Sequence, residues 1–180
     1  MKNLCVFCGS KSGASTTIYF EAAWLLGAEM AARGCSLVYG GGATGLMGAV
    51  ADGVIKNGGT AIGVVPNGLF APSFLRNDLT ELHWVSSMSA RKELMVKLSQ
   101  GFAVLPGGLG TLDELFEVWT NRQIGVHSYP IGILNTAKYF DRLIGAIQNL
   151  NQEGFVGSEH MELVTVYATP RDLLDGLLSP

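Results

Sequence analysis

Phe102-Ala103-Val104-Leu105-Pro106-Gly107-Gly108-Leu109-Gly110-Thr111-Leu112-Asp113-Glu114 changes character twice. Phe102–Leu105 is a short apolar run of the length and content of a buried strand. Pro106 stops it, and Gly107, Gly108 and Gly110 turn the chain. From Leu112 to Ile124 the apolar positions recur with a helical period. A strand that passes through a glycine turn into a helix is the building unit of a parallel α/β sheet.

The alternation continues outward from this stretch in both directions. Before it, strands are predicted over Leu4–Cys8, Ser36–Tyr39, Thr60–Val65 and Leu82–Val85. Helices are predicted over Thr17–Arg33, Leu46–Asn57 and Met88–Gln100, with Gly34, Gly58 and Gly101 closing them. After it come strands over Ile131–Leu134 and Leu163–Tyr167 and a helix over Tyr139–Asn151. Pro170 opens a last short helix to Leu177. Residues 70–78 fit neither pattern. Strands that are apolar throughout belong to a sheet covered on both faces, and right-handed crossovers wind it in two directions. The sequence therefore predicts one α/β domain over residues 1–180, a doubly wound, mostly parallel sheet with helices on both faces.

Composition narrows the function. With 48% apolar and 15% charged residues, the 180-residue chain is not disordered, because disorder needs low hydrophobicity and high charge. So few charges on a chain this small predict that some surface is buried in an oligomer. A net charge of −3, with 12 scattered Lys and Arg, gives no electrostatic footprint for nucleic acid or an anionic membrane. The uncharged stretch Gly34–Ala51 is broken by Gly40-Gly41-Gly42 and cannot serve as a spanning helix. The apolar run Leu4–Cys8 is too short for a signal peptide, and the three cysteines then fit a reducing cytoplasm.

The 24 glycines are the informative excess. They gather where predicted strands end: Gly9-Ser10, then Gly40 to Gly48, then Gly107 to Gly110. Pro66 and Ser86 to Arg91 fall at the ends of two further strands. Ligands of open α/β sheets bind in the crevice at the carboxyl ends of the strands. The unusual residues therefore converge on one edge.

In Pro106–Glu114 the glycines can turn backbone N–H groups toward an anion, and the helix start adds partial positive charge. Gly107, Gly108, Gly110 and Thr111 are the candidate phosphate ligands. No Lys-Ser or Lys-Thr follows them, so this is not a Walker A loop. The alternative is a turn closed by a capping box between Thr111 and Glu114. In Met88-Ser89-Ala90-Arg91-Lys92, Arg91 shares a helical stripe with Met88, Met95 and Leu98. A guanidinium there is costly unless paired. It either binds phosphate or carboxylate, forms an internal ion pair, or snorkels along the stripe. The loop Gly40–Gly48, with Gly41 and Gly42 as candidate contacts, either admits a base or ribose or allows close helix–sheet packing.

Other motifs carry less. Cys5 and Cys8 sit three apart in a predicted strand and so face opposite sides, which suits buried structural thiols rather than a redox pair. His83, His127 and His160 have no metal-ligand spacing, and no metal is expected.

The string Pro106-Gly107-Gly108-x-Gly110-Thr111-x-x-Glu114 resembles the signature of the LOG ("lonely guy") proteins, cytokinin riboside 5′-monophosphate phosphoribohydrolases long labelled lysine decarboxylases. The resemblance extends through Val6-Phe7-Cys8-Gly9-Ser10, Leu37–Gly42, Gly45–Gly48, Arg91-Lys92 and Leu115–Trp119. It implies a Rossmann-like fold, a homodimer with the site near the subunit interface, and hydrolysis of the N-glycosidic bond of an adenine-type nucleoside 5′-monophosphate. It also implies that Arg91 and Glu114 are catalytic. Gly9, Ser10, Gly41, Gly42 and Lys92 are further candidate substrate contacts, and no cofactor is called for. Ser89 stands where the family string has His. The chemistry fits the residues: cleavage through an oxocarbenium-like sugar needs an anchored phosphate, a nearby carboxylate and a water. The runner-up is a non-catalytic carrier of a nucleotide or of molybdenum cofactor, built on the same fold.

Overall fold

A computed structural model describes residues 2–179. Seven strands form one sheet: β1 (Asn3–Phe7), β2 (Ser36–Tyr39), β3 (Ala61–Pro66), β4 (Glu81–Val85), β5 (Phe102–Val104), β6 (Ile131–Leu134) and β7 (Val164–Tyr167). Their order is β4-β3-β2-β1-β5-β6-β7, and every pairing is parallel. The helices are α1 (Thr16–Ala32), α2 (Gly45–Lys56), α3 (Met88–Lys97), α4 (Leu109–Gln123), α5 (Asp141–Gln152), α6 (Ser158–Met161) and α7 (Pro170–Leu178).

The alternation of side chains along each strand divides the core in two. Leu4, Val6, Leu37 and Tyr39 pack with α1, α2 and α7. Cys5, Phe7, Val38 and Val104 pack with α3, α4 and α5 on the other face. This is the doubly wound sheet the sequence predicts. The Cys5 and Cys8 thiols fall in opposite cores, buried and free, and burial pushes both well above the usual thiol range. The tightest helix pair is α1 with α2. A Cβ built on Gly27 would overlap the Val50 carbonyl, and one on Gly53 would overlap the Trp24 carbonyl, so the two helices meet main chain to main chain.

Three boundaries differ from the sequence expectation by more than one residue. Helix α4 starts at Leu109 rather than Leu112, with Gly108 as its N-cap, so Thr111 lies inside the first turn and cannot cap it. Helix α3 stops at Lys97, and just beyond it the Ser99 hydroxyl donates to the Met95 carbonyl. Helix α5 starts at Asp141 rather than Tyr139, because the Asn135 carboxamide oxygen takes the Phe140 N–H and holds a turn ahead of it. The short α6 has too few residues to show a period. Residues 70–78 contain a 3₁₀ turn over Pro72–Phe74. Strand β4 is largely exposed, because it ends the sheet and is covered less than the central strands.

The chain leaves β1 toward β4 on one side and runs from β5 to β7 on the other, so the winding reverses between β1 and β5. A crevice opens at the carboxyl ends of the two strands that flank such a reversal. Here those ends are Cys8-Gly9 and Leu105-Pro106.

Candidate functional site

A cleft of about 590 Å³ lies over these strand ends, within the usual range for small-molecule sites. Gly9, Ser10, Pro106–Thr111, Arg91 and Glu114 all line it, so residues distant in the chain meet in one place.

The glycine loop is the floor. The Gly9 N–H donates to the Pro106 carbonyl at 3.0 Å and ties the loops after β1 and β5 together. A Cβ on Gly107 would run into Thr111 Oγ1 and the Gly9 nitrogen, so only glycine lets the loop close down here. Gly108 and Gly110 face open space. The first N–H groups of a helix have no partner within it. With Gly108 as N-cap there is no capping side chain, and the start of α4 presents its N–H groups to the cleft uncapped. Thr111 is buried beneath them.

Arg91 and Glu114 form the wall beside this floor. Ser87 caps α3 by accepting from the Ala90 N–H, which sets Arg91 in the first turn, beside the sheet edge. The Arg91 side chain is only 8% exposed, and its Nε donates to the Val64 carbonyl at 3.0 Å. A Cβ on Gly40 would overlap Arg91 Nη2, so Gly40 makes the space the guanidinium occupies. Arg91 Nη1 stands 3.6 Å from Glu114 Oε1, an ion pair too long for a hydrogen bond. Glu114 is 12% exposed. Burial outweighs the nearby guanidinium and lifts its carboxyl to about 7. A carboxyl at that value serves proton transfer near neutral pH. The sequence alternatives for Arg91 thus merge: it is an internal ion pair, and the pair is inside the cleft.

The other expected contacts are placed differently. Gly41 and Gly42 are buried behind the cleft wall and engage the segment after β3. The Gly41 carbonyl accepts from the Arg76 N–H, Gly42 bridges Leu75, and the Ala43 N–H donates to the Phe74 carbonyl. They hold the loop that carries Phe70 into the cleft. Lys92 points out between α3 and α4, where Glu117 and Asp113 hold its ammonium above the usual lysine range. Ser10 lines the cleft.

Sequence reasoning missed Gly40, Lys11, Met47, Tyr19 and Tyr139, all of which line the cleft. Gly40 was legible as part of a glycine triplet, although the guanidinium it admits comes from another element. Lys11 follows the first glycine turn, where a cation at the predicted ligand edge is a readable signal. The two tyrosines come from helix margins that nothing local marks. Among the described residues, no group of three His, Cys, Asp or Glu is placed to hold a metal ion. No helix among them is long and apolar enough to cross a membrane.

Known proteins resemble this chain in sequence and in fold. The family described as "Possible lysine decarboxylase" matches residues 47–177. A rice protein (Oryza sativa subsp. japonica) named "Probable cytokinin riboside 5′-monophosphate phosphoribohydrolase" is 43% identical over 176 residues, covering 98% of this chain and 83% of its own. An Arabidopsis thaliana protein named cytokinin riboside 5′-monophosphate phosphoribohydrolase is 39% identical over 176 residues, covering 98% of this chain and 82% of its own. The molybdenum cofactor carrier protein of Chlamydomonas reinhardtii superimposes with a TM-score of 0.74 at 22% identity, covering 99% of both chains. That of Rippkaea orientalis, a molybdenum cofactor binding protein, gives 0.71 at 20% identity, over 98% of this chain and 96% of its own. At such identities the carriers share the fold, whereas the plant proteins share the sequence over nearly the whole of this chain. The chain belongs to the LOG phosphoribohydrolase family, whose members carry the older description of possible lysine decarboxylases.

Proposed function

We propose that the protein hydrolyses the N-glycosidic bond of adenine-type nucleoside 5′-monophosphates, giving free base and ribose 5-phosphate. The observation that carries this is the Arg91–Glu114 pair, buried in the cleft next to an uncapped helix start.

The phosphate sits on the N–H groups of Gly108 to Thr111, where the dipole of α4 favours negative charge. Arg91 and Lys11 add charge at the same end. Thr111 and Glu114 are three residues apart, about 4.5 Å along a helix axis, which puts the carboxyl beside the ribose of a nucleotide anchored by its phosphate. The base lies toward Met47, Phe70 and Met88, whose flexible thioethers and ring suit a flat heterocycle. As the bond between C1′ and the base nitrogen breaks, its electron pair leaves with the base and positive charge grows on the sugar. The Glu114 carboxylate faces that charge and takes the proton from the water that adds to C1′; it then passes that proton to solvent, while the departing base nitrogen takes one up from solvent, so neutral base and ribose 5-phosphate leave and the carboxylate is restored.

The protein acts as a homodimer in this reading. Leu109 (87% exposed) and Phe116 on α4, with Ile124 just after its end, form an apolar stripe beside the cleft mouth, and a second copy covers it. Buried free thiols fit a cytoplasmic site of action.

A product assay tests the proposal. Purified protein is incubated with AMP and, separately, with isopentenyladenosine monophosphate, and free base is followed by chromatography. Base should appear with the wild type and be lost with Arg91→Ala and Glu114→Ala. The rate kcat/KM should rise with pH through about 7, as Glu114 loses its proton. Tight ligand binding without base release would instead favour the carrier.

A further inference from the structure

Between β6 and α5 the chain does something costly. Ala137 (φ 51°) and Lys138 (φ 59°) are the described residues other than glycine in the left-handed region, and they are adjacent. Side chains rarely tolerate that conformation, and where it persists the surroundings must impose it. Here they do. The Asn135 N–H donates to the Tyr167 carbonyl at 2.9 Å. Its carboxamide oxygen accepts from the Phe140 N–H at 2.8 Å, and its carboxamide nitrogen donates to Asp141 Oδ1 at 2.8 Å. Phe140 is fully buried. The turn is thus clamped at both ends, and the two residues between the clamps absorb the strain.

What the turn delivers is Tyr139. Its ring stands edge-on to Phe140 at 4.8 Å and to Tyr19 at 5.6 Å, between the sheet face and the cleft wall. Its hydroxyl reaches across to the glycine loop and donates to the Gly107 carbonyl at 2.6 Å. A regular helix starting at Tyr139, as the sequence predicts, has no need of this turn.

The acceptor matters more than the bond. In a trans peptide the carbonyl and the following N–H point in opposite directions within one plane. A tether on the Gly107 carbonyl therefore fixes the Gly108 N–H as well, and with it the first donor at the start of α4. Gly107 is also the position where the loop is packed too closely for any side chain. Glycine peptides rotate freely unless held, so a loop with Gly107, Gly108 and Gly110 needs an external brace to keep its donors convergent.

We infer that Tyr139 is a positioning residue for the anion-binding loop, holding the 107–108 peptide so that its N–H faces the phosphate of the substrate. The inference rests on the nucleotide reading of the cleft given above.

Tyr139→Phe tests it, since the ring keeps its packing on Tyr19 and Phe140 and only the hydroxyl is lost. Three probes are used: AMP, adenosine and inorganic phosphate. The KM for AMP and the Kd for inorganic phosphate, the latter by calorimetry, should each rise about tenfold, the scale of one lost hydrogen bond. The kcat for AMP should stay within about twofold, because the group that meets the sugar is untouched. Cleavage of adenosine, which has no phosphate, should not change. Unchanged AMP and phosphate constants would overturn the inference. An equal loss on AMP and adenosine, with a lowered melting temperature, would also overturn it, because the hydroxyl would then support the fold and not the anion. Should the wild type release no base from AMP, the hydrolase reading falls. The phosphate titration then decides on Tyr139 alone, and a wild type that binds no phosphate overturns the inference too.

Discussion

The loops after β2 and β5 look alike in sequence. Each is rich in glycine, each opens a helix, and both lie at the same edge of the sheet. They end differently. The loop after β2 spends its polar groups inside the protein. Its carbonyls and N–H groups pair with residues 74–76, and the start of α2 is closed by the Gly9 carbonyl, which accepts from the Leu46 and Met47 N–H groups. The loop after β5 leaves the start of α4 uncapped and facing a cleft. Glycine content alone does not mark an anion site. What matters is whether another part of the chain has already taken the donors.

The largest break in this comparison is expected at Arg91, which stands where the two loops face each other. Arg91→Ala should lower kcat/KM for a nucleoside monophosphate by about a thousandfold, the scale of losing a buried charge from a reacting centre. Its fold should survive, as measured by circular dichroism. Gly107→Ala comes next. The added methyl has no room beside Thr111 and Gly9, so the loop must open. We expect KM to rise by about ten- to a hundredfold, consistent with displacing anchored donors by a fraction of an ångström. Gly41→Ala breaks the other loop. It combines a φ of +72° with a clash against Val65, so unfolding in urea should show a loss of about 2–4 kcal/mol, with a smaller rise in KM than Gly107→Ala gives.

A smaller effect separates the buried carboxylate from its surroundings. Glu114 is lifted from 4.5 to about 7 in the folded state. The folded protein therefore holds this proton more tightly than the unfolded chain across that window, and stability falls as pH rises through it. Glu114→Gln removes the titration. Relative to this variant, the wild type should lose on the order of 1–3 kcal/mol between about pH 5 and pH 8. A constant difference across that range would mean that the carboxyl is not buried as described. The smallest effect is expected at Gly110, where a Cβ meets nothing. Gly110→Ala should leave KM within about threefold, since alanine keeps the N–H and suits a helix. A large loss there would show that the anion lies directly against the helix axis at this position.

The sheet was legible because its strands are short, apolar and bounded by Gly or Pro, and because each leads into a helix long enough to show a period. Arg91 was legible as a cation on an apolar stripe, and Glu114 as the carboxyl one turn beyond the glycines. The start of α4 was misplaced because glycine lowers helix propensity, while the decision to begin at Leu109 comes from how Gly107 packs on Thr111 and Gly9. The roles of Gly41 and Gly42 were hidden for a related reason. Their partners lie in residues 74–76, a segment without a period of its own. Gly40 and Tyr139 act on residues far away in the chain, Arg91 and Gly107, and no local pattern encodes such a meeting.

The contact of α1 with α2 has a bearing on how this chain can change over time. Most clashes in a core can be relieved by trimming the neighbour, so a harmful substitution has suppressors one step away. At Gly27 and Gly53 the neighbour of each is the other helix's main chain, which no substitution can trim. A side chain gained at either position can be answered only by moving a whole helix, and α2 begins on the carbonyl of Gly9, at the mouth of the cleft. These two positions, remote from the chemistry, should therefore have no single-residue rescue. A suppressor screen started from Gly53→Ala should return true revertants and little else.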